Sequence, residues 1–121
     1  QGHYKEAESL FRRSLALHKE QLGAGHAEVG ATLNSLAEVL QKLGRFDEAW
    51  PLYERSHEIR VRVFGRSHPK VATSLNNQAG WLEKQGKHAP AEPLYRQALD
   101  ILRSSVGEEH HEYVNVLHNF A

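Results

Sequence analysis

The sequence predicts an all-α fold, a solenoid of antiparallel helical hairpins stacked side by side, roughly three repeats long. Three observations carry this. Apolar residues recur at three- and four-residue steps, which places them on one face of a helix. Each such run stops at a glycine, the residue that adopts a left-handed helix end at least cost. The pattern also returns with a fixed period, since Gly2, Gly44 and Gly86 are 42 residues apart, as are Gly23, Gly65 and Gly107, and His26, His68 and His110. Sliding residues 2–43 onto 44–85 gives 14 identities without a gap, where ordinary composition gives roughly two or three by chance. One hairpin cannot cover its own apolar face, so a period of this length means hairpins that stack and bury a continuous core.

Taken in order, His3 to Leu22 reads as a helix carrying Tyr4, Ala7, Leu10, Phe11, Leu15 and Leu17. It is the second helix of a hairpin. Gly23 to His26 is a loop, and Ala27 to Leu43 is a first-type helix with Val29, Leu33, Ala37 and Leu40 on one face. Gly44 turns the chain into a second-type helix from Phe46 to Phe64, and Gly65 to His68 forms the next loop. Pro69 suits the first turn of the helix that follows, where its missing N–H costs nothing. Val71, Leu75, Ala79 and Leu82 stripe that helix until Gly86 ends it, and Ala91, Leu94, Tyr95, Ala98, Leu99, Ile101 and Leu102 stripe its partner. With so little chain between them, the two must fold back as antiparallel neighbours. Glu109 to Ala121 begins a further first-type helix with Tyr113, Val114, Leu117 and Ala121 on its apolar side. The whole is expected to be one array, with units at about 1–23, 24–65, 66–107 and a partial 108–121.

Composition narrows the function. Fifteen basic and fifteen acidic residues cancel, so nothing points to nucleic acid or to an anionic membrane surface as partner. The chain has no cysteine, hence no disulfide framework or thiolate chemistry, which fits a cytoplasmic, intracellular protein. No apolar run approaches the roughly 20 residues of a membrane span. The chain starts at Gln1 without a methionine and stops inside an apolar pattern, as an excerpt of a longer array would.

The residues resemble the tetratricopeptide repeat. Its large–x2–Leu–small–x2–large pattern stands here as Leu33-x2-Leu36-Ala37-x2-Leu40, followed by Ala49-x3-Tyr53; Ala91-x3-Tyr95 and Ala7-x3-Phe11 repeat the second part. The 42-residue version, with Gly65-Arg66-Ser67-His68-Pro69, Ser74-Leu75-Asn76-Asn77 and Ala91-Glu92-Pro93-Leu94-Tyr95, looks like the kinesin light chain type. The resemblance implies a right-handed superhelix and a concave groove that holds a protein or peptide partner. Gln78 stands where the pattern wants leucine, and His57 and His88 replace apolar or aromatic residues of the other copies. Pro51 and Pro93 fall inside helices, where proline costs roughly 3 kcal/mol.

A helical wheel names the wall of that groove. Beside the buried stripe, the later copy offers Thr73, Asn76, Gly80, Glu83 and Lys84; the earlier one offers Ala31, Asn34, Glu38, Gln41 and Lys42; the partial one offers Asn115 and His118. A side-chain amide both donates and accepts, so Asn34 and Asn76 can pair with the backbone of an extended peptide whatever its sequence. The other reading of both is an amide bonded to a neighbouring helix. Gly80 either opens room beside Asn76 or marks a close helix crossing. The resemblance brings tryptophan-containing peptides with acidic neighbours as ligands, but Glu38 and Glu83 beside Lys42 and Lys84 form no basic cluster. Only use of the groove carries over.

Nine histidines invite a metal, but His26, His68 and His110 each precede a first-type helix, as capping residues would, and lie a repeat apart. His111 and His118 stand seven apart, unlike the i, i+4 pair of zinc helices. Neither a metal nor a cofactor is expected. Trp81 falls where a neighbouring hairpin packs, and Trp50 is the better candidate for an outer contact. No nucleophile–base pair, phosphate loop or carboxylate pair points to an enzyme. Beside groove binding stands a second function: an architectural scaffold or assembly subunit that uses its convex face and ends. The uncovered stripes of the Tyr4/Phe11 and Tyr113/Leu117 helices predict self-association or fraying.

Overall fold

The computed structural model describes residues 2–120 and, among them, six helices and no strand. They are α1 (Gly2–Leu22), α2 (Ala27–Lys42), α3 (Phe46–Phe64), α4 (Pro69–Lys84), α5 (His88–Ser105) and α6 (His111–Phe120). The chain forms two compact units, Gln1–Val63 and Phe64–Ala121.

In the first unit, α1 packs on α2, and α3 folds back on α2 as the second arm of a hairpin. The core of that pairing is Val29 and Leu33 of α2 with Ile59 of α3, flanked by Leu15 and Leu52. Gly30 lets the backbones close up, because a Cβ there would lie 3.1 Å from Ile59 Cγ2. The same contact satisfies a buried hydroxyl, with Ser56 Oγ donating to the Gly30 carbonyl at 2.7 Å. Near the other end of the hairpin, Tyr53 donates its hydroxyl to Gln41 Oε1 at 3.0 Å. Burial pushes this phenol far above its ordinary value, and Glu38 adds to the shift. Outside the core, Glu8 of α1 accepts from Arg12 at 2.9 Å and from Arg45 at 2.7 Å. Loss of solvent raises that carboxyl, but the two guanidinium hydrogen bonds prevail and hold it below the usual range.

The second unit repeats the scheme. Here α4 and α5 make the hairpin, and α6 lies against α5. Leu75, Ala79, Ala91, Ala98, Leu99 and Leu102 are buried between them. Tyr95 donates to Glu83 Oε1 at 3.3 Å, the counterpart of the Tyr53 bond, and desolvation with the Glu83 charge pushes its phenol up to about 12. Phe120 stacks on Tyr95 with centroids 5.4 Å apart.

The helix ends follow the predicted chemistry. Gly44 and Gly86 sit at φ +81° and +77°. Behind them Arg45 N–H reaches Leu40 O and Lys87 N–H reaches Leu82 O, each at 2.8 Å, while the glycines' own N–H groups bond Gln41 O and Glu83 O at 2.9 Å. This double closure satisfies carbonyls that a helix end otherwise leaves open. At the other ends His26, His68 and His110 each accept a backbone N–H through Nδ1, from Glu28 at 3.0 Å, Lys70 at 3.1 Å and Glu112 at 3.1 Å. They are N-caps. Pro51 and Pro93 stand inside α3 and α5, and both helices run on past them.

Two expectations need correcting. The last helix begins at His111 rather than Glu109, because Glu108 to His110 turn as a loop and His110 is the cap. Its buried face is Tyr113 and Val116, with Phe120 half-buried, whereas Val114 and Leu117 are exposed. The period itself explains the exposure: Val114 and Leu117 stand where Gly30 and Leu33 meet Ile59, and about half of each remains in water. Ala121 lies outside the described residues. At α1 the stripe is open as expected at Tyr4, Leu10, Leu17 and Leu22, with Phe11 half-buried.

Candidate functional site

Two pockets, one in each unit, take in five of the wall residues: Thr73, Asn76 and Asn115 in one and Glu38 and Lys42 in the other. In the second unit Thr73 and Asn76, one turn apart on α4, meet Glu112 and Asn115, one turn apart on α6, above a floor of Leu102 and Val116. Thr73 and Asn115 are equivalent positions of successive repeats, so the pocket is built by two first-type helices that present the same face. Its volume is about 150 Å³, room for a short side chain or a stretch of peptide backbone and well below the roughly 300–1,000 Å³ of a small-molecule site. Asn119 donates to Asn76 Oδ1 at 3.4 Å, and Thr73 Oγ1 bonds back to Pro69 O at 3.3 Å. The rim therefore offers two carboxamides, a hydroxyl and a carboxylate over an apolar floor. Such a set can pair with peptide N–H and C=O groups while an apolar side chain enters below.

In the first unit Glu38 and Lys42 of α2, with Ser35 and Val39, face Tyr4 and Phe11 of α1 across a pocket of about 270 Å³. One wall is aromatic and the other polar. Glu38 is open to water on one side, yet loss of solvent around its carboxyl pushes it above the usual carboxylate range, against the pull of Lys42 and Arg60. Arg60 is itself buried, and desolvation draws its guanidinium down against the Glu38 charge.

The other wall residues are more committed. Asn34 is buried, and its amide donates to Glu38 Oε1 at 3.2 Å. Gln41 accepts from Tyr53. Glu83 takes both the Tyr95 hydroxyl and His88 Nδ1, the latter at 2.9 Å. Lys84 and His118 are exposed. Gly80 opens room, since a Cβ built there meets nothing within 4 Å. Trp81 is buried, as a packing residue would be, and Trp50 is half-buried. Sequence reasoning missed Glu112, Leu102 and Val116, although carrying the period from Thr73 to Asn115 leads to the same helix turn. Joining Glu38 and Lys42 to the Tyr4/Phe11 stripe needed the packing of α1 on α2. Among the described residues, no group of three or more His, Asp or Glu is placed to hold a metal ion. None of the described helices is long and apolar enough to cross a membrane.

Comparison with known proteins bears on these features. A family model described as tetratricopeptide repeat matches residues 1–49 and 28–104. A crystal structure of BtubC (BKLC) from P. vanneervenii is similar with a TM-score of 0.83 and 28% identity, over 98% of this chain and 46% of that one. A putative kinesin light chain with nearly identical TPR-like repeats from Podosopora anserina is similar with a TM-score of 0.87 and 24% identity, over 98% of this chain and 56% of that one. A second crystal structure of that protein, carrying one substitution, gives 0.86. The chain thus spans about half the length of the solved structures it matches. No curated protein matches it. With its hairpins, its 42-residue period and a family model that covers most of its length, the chain belongs to the tetratricopeptide repeat family, with repeats of the kinesin light chain-like kind.

Proposed function

We propose that the chain is a single array of repeats that grips an extended segment of a protein partner along its first-type helices. Tetratricopeptide repeats are generally protein-interaction modules and typically non-enzymatic. The observation that carries the reading is the α4–α6 pocket, where Thr73, Asn76, Glu112 and Asn115 turn polar groups outward over Leu102 and Val116. Amides there give affinity for any peptide backbone, and the floor selects a short apolar side chain. Within the same unit Lys84 adds an exposed charge on α4 and Glu83 is held by Tyr95 and His88; in the first unit Glu38 and Lys42 line a pocket of their own, with Asn34 bonded to Glu38 and Gln41 to Tyr53. The test is a peptide array on the wild-type chain, followed by calorimetry with the captured peptides. Asn76→Ala with Asn115→Ala should weaken them about tenfold or more, since each lost pairing is worth roughly 1 kcal/mol, at unchanged melting temperature. Unchanged affinity defeats the groove.

A second reading, an assembly subunit joined through its ends, rests on the exposure of Leu10, Leu17 and Leu22 on α1 and of Val114 and Leu117 on α6. It expects a sedimentation coefficient that rises with concentration and a monomer after Leu17→Lys. A monomer at all concentrations rules it out.

A further inference from the structure

We infer that copies of this chain join head to tail, α1 of one copy folding on α6 of the next as α3 folds on α2. This rests on the second reading above, assembly through the ends, and adds the partner and the register. The period gives every helix a type. Among the described residues, α1 is a second-type helix with no first-type helix before it, and α6 is a first-type helix with no second-type helix after it. Each end therefore presents the half of a hairpin that the other end needs.

The residues match position by position. In the α2–α3 hairpin Ile59 is fully buried against Val29 and Leu33, Leu52 flanks them, and Ser56 Oγ donates to the Gly30 carbonyl. One period back from α3, α1 carries Leu17, Leu10 and Ser14 at the positions of Ile59, Leu52 and Ser56. Leu17 and Leu10 are 53% and 60% exposed, although Ile59 is covered completely. Two periods on from α2, α6 carries Tyr113, Val114 and Leu117 at the positions of Val29, Gly30 and Leu33. Docked in that register, Leu17 closes over Val114 and Leu117, and Ser14 reaches the Val114 carbonyl. Valine at 114, where α2 has glycine and α4 has Ala72, sets the two axes further apart than within a hairpin. One position opposes the joint. Arg62 donates to Gly25 O in the first unit, but the equivalent residues here are Glu20 and Glu109, both exposed. Their like charges weaken the joint, and salt relieves them. None of these side chains lines the α4–α6 pocket, so joint and groove use different residues. The contact is heterologous: it leaves one free end of each kind, and assemblies lengthen with concentration.

The test is sedimentation velocity on the wild type, on Leu17→Lys and on Leu117→Lys, with circular dichroism melts to confirm that each variant is folded. Both leucines are exposed, so the single copy should tolerate the changes. Each variant alone should stay a monomer at concentrations where the wild type forms species larger than a dimer. Their equimolar mixture should give a heterodimer and nothing larger, because each retains the end that the other has lost. Glu20→Arg should tighten wild-type association about fivefold at low salt, the upper range of an exposed ion pair, by turning a guanidinium towards Glu109. A wild type that is monomeric at every concentration ends the assembly reading and this inference with it. Where the wild type does assemble, three results overturn the head-to-tail register alone. They are self-association of either lysine variant by itself, a mixture that fails to pair, or an unchanged affinity for Glu20→Arg.

Discussion

Gly30 and Gly80 lie inside equivalent kinds of helix and do opposite things. A side chain at Gly30 would press into Ile59, whereas one at Gly80 meets open space. Glycine within a helix costs roughly 1 kcal/mol relative to alanine, so Gly80→Ala should stabilise by up to about that amount. Gly30→Ala gains the same propensity but must move Ile59 in a closed core, where overpacking costs about 1–3 kcal/mol. The expected outcome in urea denaturation is a rise for Gly80→Ala and a fall for Gly30→Ala. Both glycines look alike in the sequence, because helix crossing is decided by the partner's side chains rather than by the glycine. Asn34 and Asn76 teach the same lesson. They are equivalent in register, but glutamate four residues after Asn34 takes its amide, whereas Asn76, with Gly80 at that offset, lines the pocket and accepts from Asn119. The offsets were legible; burial of the first amide was not.

At the scale of elements, the stops and starts were written in the chain. Gly86 holds a left-handed conformation that costs an L-residue roughly 1–2 kcal/mol. Gly86→Ala should lower stability in urea by that amount without changing helix content by circular dichroism. The α4–α5 hairpin also predicts an alkaline limit. Tyr95 is neutral in folded and unfolded chains below its ordinary value of about 10, so its contribution is complete there. As pH rises towards about 12, where the buried phenol ionises, the unfolded chain loses its proton first and stability falls. The loss is on the order of 2 kcal/mol, and Tyr53 acts in the same direction. Melting temperatures from about pH 9 to 12 should drop for the wild type and drop less for Tyr95→Phe. The extent of α6 was less legible than these hairpins. Its wheel allowed a stripe through Val114 and Leu117, and only contact with α5 shows that Tyr113, Val116 and Phe120 face inward.

Over the whole molecule, stability in a repeat protein is a sum of neighbour terms rather than one cooperative core. Each hairpin has its own buried cluster, while α1 and α6 keep large apolar side chains in water. Native-state hydrogen exchange should therefore be slowest in α2–α3 and α4–α5 and clearly faster in α1 and α6. A single uniform protection across all six would contradict this. The period made the architecture legible from the sequence alone, because 42-residue copies can only be satisfied by one another. The two pockets were only half legible, since each joins residues from helices whose mutual approach no single copy encodes.

The vacancy at residue 80 has an evolutionary corollary. A Cβ added there meets no neighbour, so, on the proposed groove reading, a lineage could change the side chain of this wall while its scaffold stays put. Gly80→Glu and Gly80→Arg, folded alike yet differing in the peptides they retain, would make that freedom visible.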